Sequence, residues 1–218
     1  MPLQIDVISD VVCPWCYIGK RKLARALELY RERNPGAEAP EVVWHPFQLN
    51  PDMPVAGVDR REYLERKFGG RSAHTYARVS AVGAEVGIPF EFDRVTRQPN
   101  TVAAHSLIML AADAGLQDAV LEALFRAYFS DGRDLTSNQT LSEVACAAGL
   151  ARDQVDACLA SAEAREKVQA EDNEARRINV EGVPFFVFNR RYAVSGAQDP
   201  EVLVDAMLKA QRDTASVG

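Results

Sequence analysis

The chain has 218 residues, 47 % hydrophobic and 26 % charged, enough to bury a full core in one domain or a domain carrying an insertion. Its formal net charge is -6 with no concentrated basic stretch, which argues against a nucleic-acid partner, and no apolar run approaches the roughly 20 residues of a membrane span. No basic segment followed by an apolar stretch and a cleavage site precedes the first strand, so the expected location is cytoplasmic, where thiols are held reduced.

Gln4 to Asp10 reads as a buried strand through Ile5, Val7 and Ile8, and leads through Val11-Val12 into Cys13-Pro14-Trp15-Cys16-Tyr17. A helix follows from Gly19 to Tyr30, with Leu23, Ala26, Leu27 and Tyr30 at helical spacing, and Asn34-Pro35-Gly36 ends it. Glu41 to Leu49 reads as a second strand, so the order strand, turn, helix, strand gives a parallel crossover unit. After the break Asn50-Pro51-Asp52-Met53-Pro54 the chain reads as helical, with helices expected over 60–68, 72–86, 100–114, 117–130, 140–148 and 152–177. Thr140 with Glu143 three residues on resembles a capping box. Gly182 to Phe188 returns to strand, Asn189-Arg190-Arg191 turns, and Tyr192 to Ser195 is the last strand. Gly196-Ala197-Gln198-Asp199-Pro200 opens a final helix from Glu201 to about Gln211, with Thr214 to Gly218 expected to fray. The tally is βαβ, a large all-helical insertion, then ββα: a discontinuous α/β domain of residues 1–58 and 179–218, interrupted by an insertion domain over 59–178.

Two cysteines spaced Cys-x-x-Cys at a strand-to-helix junction are placed as a dithiol redox centre requires. At the helix N-terminus, unpaired N–H groups and the macrodipole favour a thiolate on Cys13, and Lys20, Arg21 and Lys22 further along add positive charge. Cys16, about one turn inside, is the resolving thiol. Pro14 costs no hydrogen bond in the first turn and, with Trp15, completes the active-site loop. Half a zinc site and two core cysteines are the competing readings. Zinc usually wants a second Cys or His pair at ligand spacing, whereas Cys146, Cys158, His45, His74 and His105 are scattered, so no metal is expected.

The chain resembles the DsbA-like thioredoxin-fold oxidoreductases, most closely the FrnE-type branch, over nearly its whole length. The resemblance rests on Cys13-Pro14-Trp15-Cys16-Tyr17, Trp44-His45-Pro46-Phe47-Gln48-Leu49-Asn50-Pro51, Asn100-Thr101-Val102-Ala103-Ala104-His105, Gly182-Val183-Pro184-Phe185 and Ser195-Gly196-Ala197-Gln198. The third and fifth of these also mark the 2-hydroxychromene-2-carboxylate isomerases and kappa-class glutathione transferases, which look like the same scaffold with serine where this chain has Cys13.

The resemblance implies a thioredoxin fold and an exposed, nucleophilic Cys13. It implies a cis bond before Pro184 facing the cysteines, which leaves the Val183 backbone free to pair with an extended peptide. The residues alone also allow an ordinary trans proline opening a strand. Asn100 reads as an N-cap or, with His105 one turn on, as a substrate-binding group, and His45 as a proton carrier near Cys16. Cys146 and Cys158 read as buried free thiols, and Trp44 and Phe47 as core. Three functions follow: a thiol–disulfide oxidoreductase or isomerase, a glutathione-dependent isomerase or transferase on a small aromatic or polyketide substrate, and a redox sensor without turnover. The first needs no cofactor beyond its own disulfide, takes protein or small-molecule thiols and disulfides as partners with glutathione as a co-substrate, and is expected as a monomer or weak homodimer.

Overall fold

The computed structural model describes residues 2–69 and 72–215. In chain order the elements are β1 (Gln4–Ser9), α1 (Pro14–Arg33), β2 (Glu41–Pro46), β3 (Val58–Asp59), α2 (Arg60–Phe68), α3 (Ser72–Glu85), a 3₁₀ turn (Phe92–Arg94), β4 (Arg97–Gln98), α4 (Val102–Asp113), α5 (Gln117–Phe129), α6 (Asn138–Ala147), α7 (Arg152–Ala160), α8 (Ala162–Arg177), β5 (Phe185–Phe188), β6 (Tyr192–Ser195) and α9 (Pro200–Ala215). Among the described residues, no helix is long and apolar enough to cross a membrane.

The main sheet has the order β2-β1-β5-β6. β2 runs parallel to β1, with Gln4 opposite Glu41 and Ser9 opposite Pro46. β5 lies antiparallel on the other side of β1, with Ile5 opposite Phe188, and β6 pairs antiparallel with β5. The hairpin between them turns on Asn189 (φ 47°) and Arg190 (φ 55°), the two consecutive left-handed residues of a type I′ turn. This is the thioredoxin fold, with a helical insertion between β2 and β5 in which the short strands β3 and β4 pair.

Alternation along β1 divides the packing between the two faces of the sheet. Ile5 and Val7, with Trp44, Phe186 and Phe188, face a core that takes in Leu23, Ala26 and Tyr30 of α1 and Leu203 and Met207 of α9. The same core continues through Leu107, Leu124, Phe125 and Phe129 of the insertion, so the insertion and the sheet share buried surface. Ile8 points the other way, to Phe47, Ala175 and Val180 beneath α8.

Several expected boundaries move, each for a local reason. β2 stops at Pro46 because the Gln48 and Leu49 N–H groups turn to the carboxylates of Asp172 and Asp10, both at 2.8 Å. The helix expected over 152–177 is two: Ser161 is extended (φ −73°, ψ 125°), and its hydroxyl accepts the Ala164 N–H at 3.1 Å, capping α8. The Thr140 capping box does not form. Ser137 caps α6 instead, accepting the Thr140 N–H at 3.3 Å, and Glu143 is held by Arg133 and Gln139. α1 begins at Pro14 rather than Gly19. α9 continues through Ala215, and the rest of the tail expected to fray lies outside the described residues.

The free edge of β2 is closed by a side chain. Gln117, at the start of α5, donates from Nε2 to the Trp44 carbonyl and accepts the Trp44 N–H at Oε1, each at 2.9 Å. One primary amide thus stands in for a neighbouring strand at Trp44 and satisfies both of its backbone groups.

Candidate active site

The apolar run of β1 ends at Ser9 and Asp10, and the backbone then turns sharply. The Cys13 N–H donates to the Asp10 carbonyl at 3.0 Å. Cys13 is the N-cap of α1 in extended conformation (φ −96°, ψ 110°), its side chain makes no capping hydrogen bond, and Pro14 occupies the first turn. The Cys13 sulfur is therefore at the positive end of a 20-residue helix. The Cys16 N–H returns to the Cys13 carbonyl at 3.0 Å, which puts the second sulfur one turn inside.

The two thiols differ in environment. Cys13 is 4 % exposed and Cys16 is fully buried. Burial, and then the neighbouring Cys13, push the Cys16 thiol well above its ordinary range; the Asp10 backbone N–H and the Ser9 hydroxyl pull the other way. The expectation of an exposed Cys13 is corrected, because its sulfur is tucked against the Val183 carbonyl at 3.5 Å. Both are free thiols, as are Cys146 and Cys158, which are half-buried rather than buried.

The Val183–Pro184 peptide bond is cis. Pro184 packs on α1 at Gly19, where a Cβ would lie 2.9 Å from Pro184 Cγ and 3.3 Å from Phe186 Cζ. The Pro184 carbonyl accepts the Gly196 N–H at 2.8 Å, joining the Gly182–Phe185 and Ser195–Gln198 motifs. The Val183 N–H makes no hydrogen bond among the described residues. Cys13, Cys16, Pro14, Trp15, Val183 and Pro184 thus come together from both ends of the chain.

The remaining expected residues are placed differently. His105 is buried and spends its Nε2 on the Asp10 carboxylate at 3.3 Å, so it lies beneath the Cys13–Cys16 turn rather than lining a cleft. Asn100 is used at both ends: its amide donates to the Met53 carbonyl at 2.7 Å and its oxygen accepts the Val102 N–H at 3.0 Å. It ties the loop after β2 to the start of α4, where Thr101 is the N-cap. His45 does not approach Cys16; it bridges Asp6 at 3.0 Å and Glu171 at 3.2 Å on the opposite face of the sheet. Burial would lower its pKa, but Glu171 and Asp6 outweigh that and raise it.

The cations of α1 are also spent elsewhere. Buried Lys20 pairs with Asp118 at 2.9 Å and Glu122 at 3.1 Å, Arg21 pairs with Glu122, and Lys22 pairs with Asp199 at 2.9 Å. They dock α1 on α5 and α9 and are already neutralised, which corrects the expectation that they activate Cys13. Tyr17 joins this network through its hydroxyl, 2.8 Å from Glu122, and stacks on Phe125. Burial first, and then Glu122, push its pKa up to about 12, so it stays a protonated donor.

Sequence reading missed Ser9, Asp10 and Arg60. The signal for the first two was a polar pair closing an apolar strand directly before the cysteines. Arg60, at the start of α2, is 6 % exposed. Its guanidinium lies 5.6 to 5.9 Å from the ring centroids of Tyr63, Tyr76 and Tyr128, and it donates to Gln98 and to the Tyr76 hydroxyl. No carboxylate among the described residues pairs with it. Burial raises the Tyr76 pKa, Arg60 opposes this, and Cys13 is among the groups Tyr76 senses; α3, which carries Tyr76, packs on α1.

A family model described as the DsbA-like thioredoxin domain matches residues 4–208. The structure of a probable DsbA oxidoreductase from Streptomyces coelicolor is similar at a TM-score of 0.85 and 32 % identity, over 96 % of this chain and 90 % of that one. A 2-hydroxychromene-2-carboxylate isomerase matches at a TM-score of 0.72 and 16 % identity, over 99 % of both chains. The cytosolic disulfide reductase DsbM of Pseudomonas aeruginosa, solved with GSH, matches at 0.63 and 20 % identity over 98 % of both. The last two likenesses speak to the fold alone.

Proposed function

The chain belongs to the DsbA-like thioredoxin domain family, and from that premise we propose that it is a thiol–disulfide oxidoreductase whose redox centre is Cys13-Pro14-Trp15-Cys16. The observation that carries this reading is the pairing of unlike thiols. Cys13 sits at a helix N-terminus 3.5 Å from the Val183 carbonyl, and Cys16 is sealed one turn below.

In the reductive direction the Cys13 thiolate attacks a substrate disulfide. One substrate sulfur leaves as a thiolate and takes a proton, and a mixed disulfide remains on Cys13. Cys16 then loses its proton and attacks the Cys13 sulfur. The mixed disulfide breaks, the second substrate thiol departs, and Cys13–Cys16 closes. One substrate disulfide becomes two thiols and the enzyme dithiol becomes a disulfide; the reverse sequence oxidises a dithiol substrate. The unbonded Val183 N–H beside Cys13 suits an extended peptide, which favours protein disulfides as substrates. The exchange needs no bound cofactor, and glutathione serves as a small-thiol co-substrate that returns the enzyme to its dithiol form. A reducing cytoplasm is the compartment where that direction runs.

The glutathione-dependent isomerase reading draws on the fold shared with the 2-hydroxychromene-2-carboxylate isomerase. Such chemistry gains nothing from Cys16, because a closed Cys13–Cys16 bond removes the nucleophile. Insulin reduction and refolding of a scrambled disulfide protein, each with and without glutathione, test the proposal. Turnover by the natural protein and its loss in Cys13→Ser are expected. No turnover in either assay would overturn it.

A further inference from the structure

Ser9 is the last residue of β1 and shares the face of Ile5 and Val7, against which α1 packs. It is 2 % exposed. Its carbonyl accepts the Phe47 N–H at 3.0 Å, but its hydroxyl makes no hydrogen bond to any described protein group. A buried polar group without a partner is destabilising and calls for an explanation. Cys16, on the α1 helix that packs on this face, belongs to the same buried cluster as Ile5 and Val7, and its thiol is the titratable group on which the Ser9 hydroxyl acts.

We propose that Ser9 is a positioning residue for the second half of the exchange, its hydroxyl held unpaired against the dithiol and donating to the Cys16 thiolate as that thiolate forms. This rests on the reading of Cys13 and Cys16 as the redox pair. The Cys16 thiol is a poor acceptor and leaves the hydroxyl idle; the thiolate is a strong one. The hydroxyl therefore stabilises the state that attacks Cys13 more than the state that waits. Ser9 and the Asp10 N–H are the two groups that favour ionised Cys16 against burial and against Cys13. The other titratable groups at this end are Asp10, His105, Arg60 and Tyr76. Asp10 and His105 face each other and the second Asp10 oxygen accepts the Leu49 N–H, while Arg60 donates to Gln98 and to the Tyr76 hydroxyl, so these groups are already committed.

The chemistry balances as follows. With an aromatic disulfide as oxidant, Cys13 attack releases one aryl thiolate and leaves a Cys13–aryl mixed disulfide. Cys16 gives up its proton, its sulfur attacks Cys13, and the second aryl thiolate leaves as Cys13–Cys16 forms.

In a background where Cys146→Ser and Cys158→Ser remove the other two free thiols, stopped-flow release of the two aryl thiolates from 5,5′-dithiobis(2-nitrobenzoate) separates the steps. In Ser9→Ala the first release is expected to keep its rate. The second should slow about tenfold, the worth of one hydrogen bond to a charged group, and its pH midpoint should move upward. Ser9→Thr, which keeps the hydroxyl, should restore both. An unchanged second phase and pH midpoint in a folded Ser9→Ala variant would overturn the role of Ser9. Loss of both phases through misfolding, read by circular dichroism, passes the decision to Ser9→Val and Ser9→Thr, which are equal in shape and differ in the hydroxyl. Valine should slow the second release and threonine should not; if the two match in rate and midpoint, the proposal fails. Failure of the proposed function looks different: the natural protein would then show no second release at all.

Discussion

Gly19 and Pro184 touch across the junction of the helix and the proline loop: a Cβ on Gly19 would come within 2.9 Å of the proline ring. A ring carbon has little room to yield, so Gly19→Ala must displace α1 or the loop that carries Val183. Alanine gains roughly 1 kcal/mol of helix propensity over glycine, against about 1–3 kcal/mol for overpacking a core contact. The overpacking is expected to win or draw, and the displacement falls on the Cys13–Val183 contact. Gly19→Ala should lower the urea midpoint and change the rate of Cys13 alkylation. A variant with a raised midpoint and unchanged alkylation would show that the contact is slack.

Gln117 closes the edge of β2, and its removal is expected to cost more than its size suggests. Gln117→Leu keeps volume but strands both the Trp44 N–H and its carbonyl. Two buried backbone groups left unpaired cost about 2–6 kcal/mol together. Urea unfolding should show a loss of that order, and hydrogen exchange at the Trp44 amide should quicken more than at Val7 across the sheet. Equal changes at the two amides would indicate global loosening instead of an opened edge.

His45 links β1, β2 and α8 through Asp6 and Glu171. Its pKa is raised in the folded state, so the protonated clasp contributes stability that is fully present below the ordinary histidine value of about 6.5. That contribution fades as pH rises through the raised value. The natural protein should accordingly lose its stability advantage over His45→Gln as pH rises above about 6.5 and through the raised value, as read by urea unfolding of both. A difference that stays constant or grows over that interval would contradict the clasp.

How much of this was legible depended on the range of the interaction. The Cys-x-x-Cys turn, β1, the hairpin at Asn189-Arg190 and the ββα ending are written in local pattern, and the fold follows from them. Ser161 splits a helix whose flanking residues all favour helix, because one hydroxyl reaching the Ala164 N–H outbids continuation; composition averages over such a residue. Thr140 offered a plausible cap, but Ser137, three residues earlier, took that position. His105 was singled out for chemistry and proves to serve Asp10, a partner 95 residues away that no spacing announces. Gln117 and Trp44, 73 residues apart, are the same case. Lys20, Arg21 and Lys22 read as a positive field only until Asp118, Glu122 and Asp199 are brought alongside by folding.

In the proposed exchange the two thiols have unlike tasks, and Cys16→Ser separates them. Serine is nearly isosteric, and a hydroxyl buried at this position can use the Asp10 N–H and Ser9, so the cost of burial is partly offset and the fold should survive. Cys13 keeps its helix N-terminus and its contact with Val183, so its attack on a disulfide is untouched. What is lost is the internal thiol that expels the second half of the substrate. Cys16→Ser should therefore accumulate mixed disulfides on Cys13, with proteins or with glutathione, that appear as discrete mass additions and vanish on treatment with dithiothreitol. Insulin reduction should fall to near background while circular dichroism stays unchanged. A glutathione-dependent isomerase or transferase would respond in the opposite way, since its single nucleophile would be freed from competing disulfide closure. If Cys16→Ser forms no adducts and sustains glutathione-dependent isomerisation of an aromatic substrate at the natural rate, the exchange mechanism is wrong and the isomerase reading replaces it.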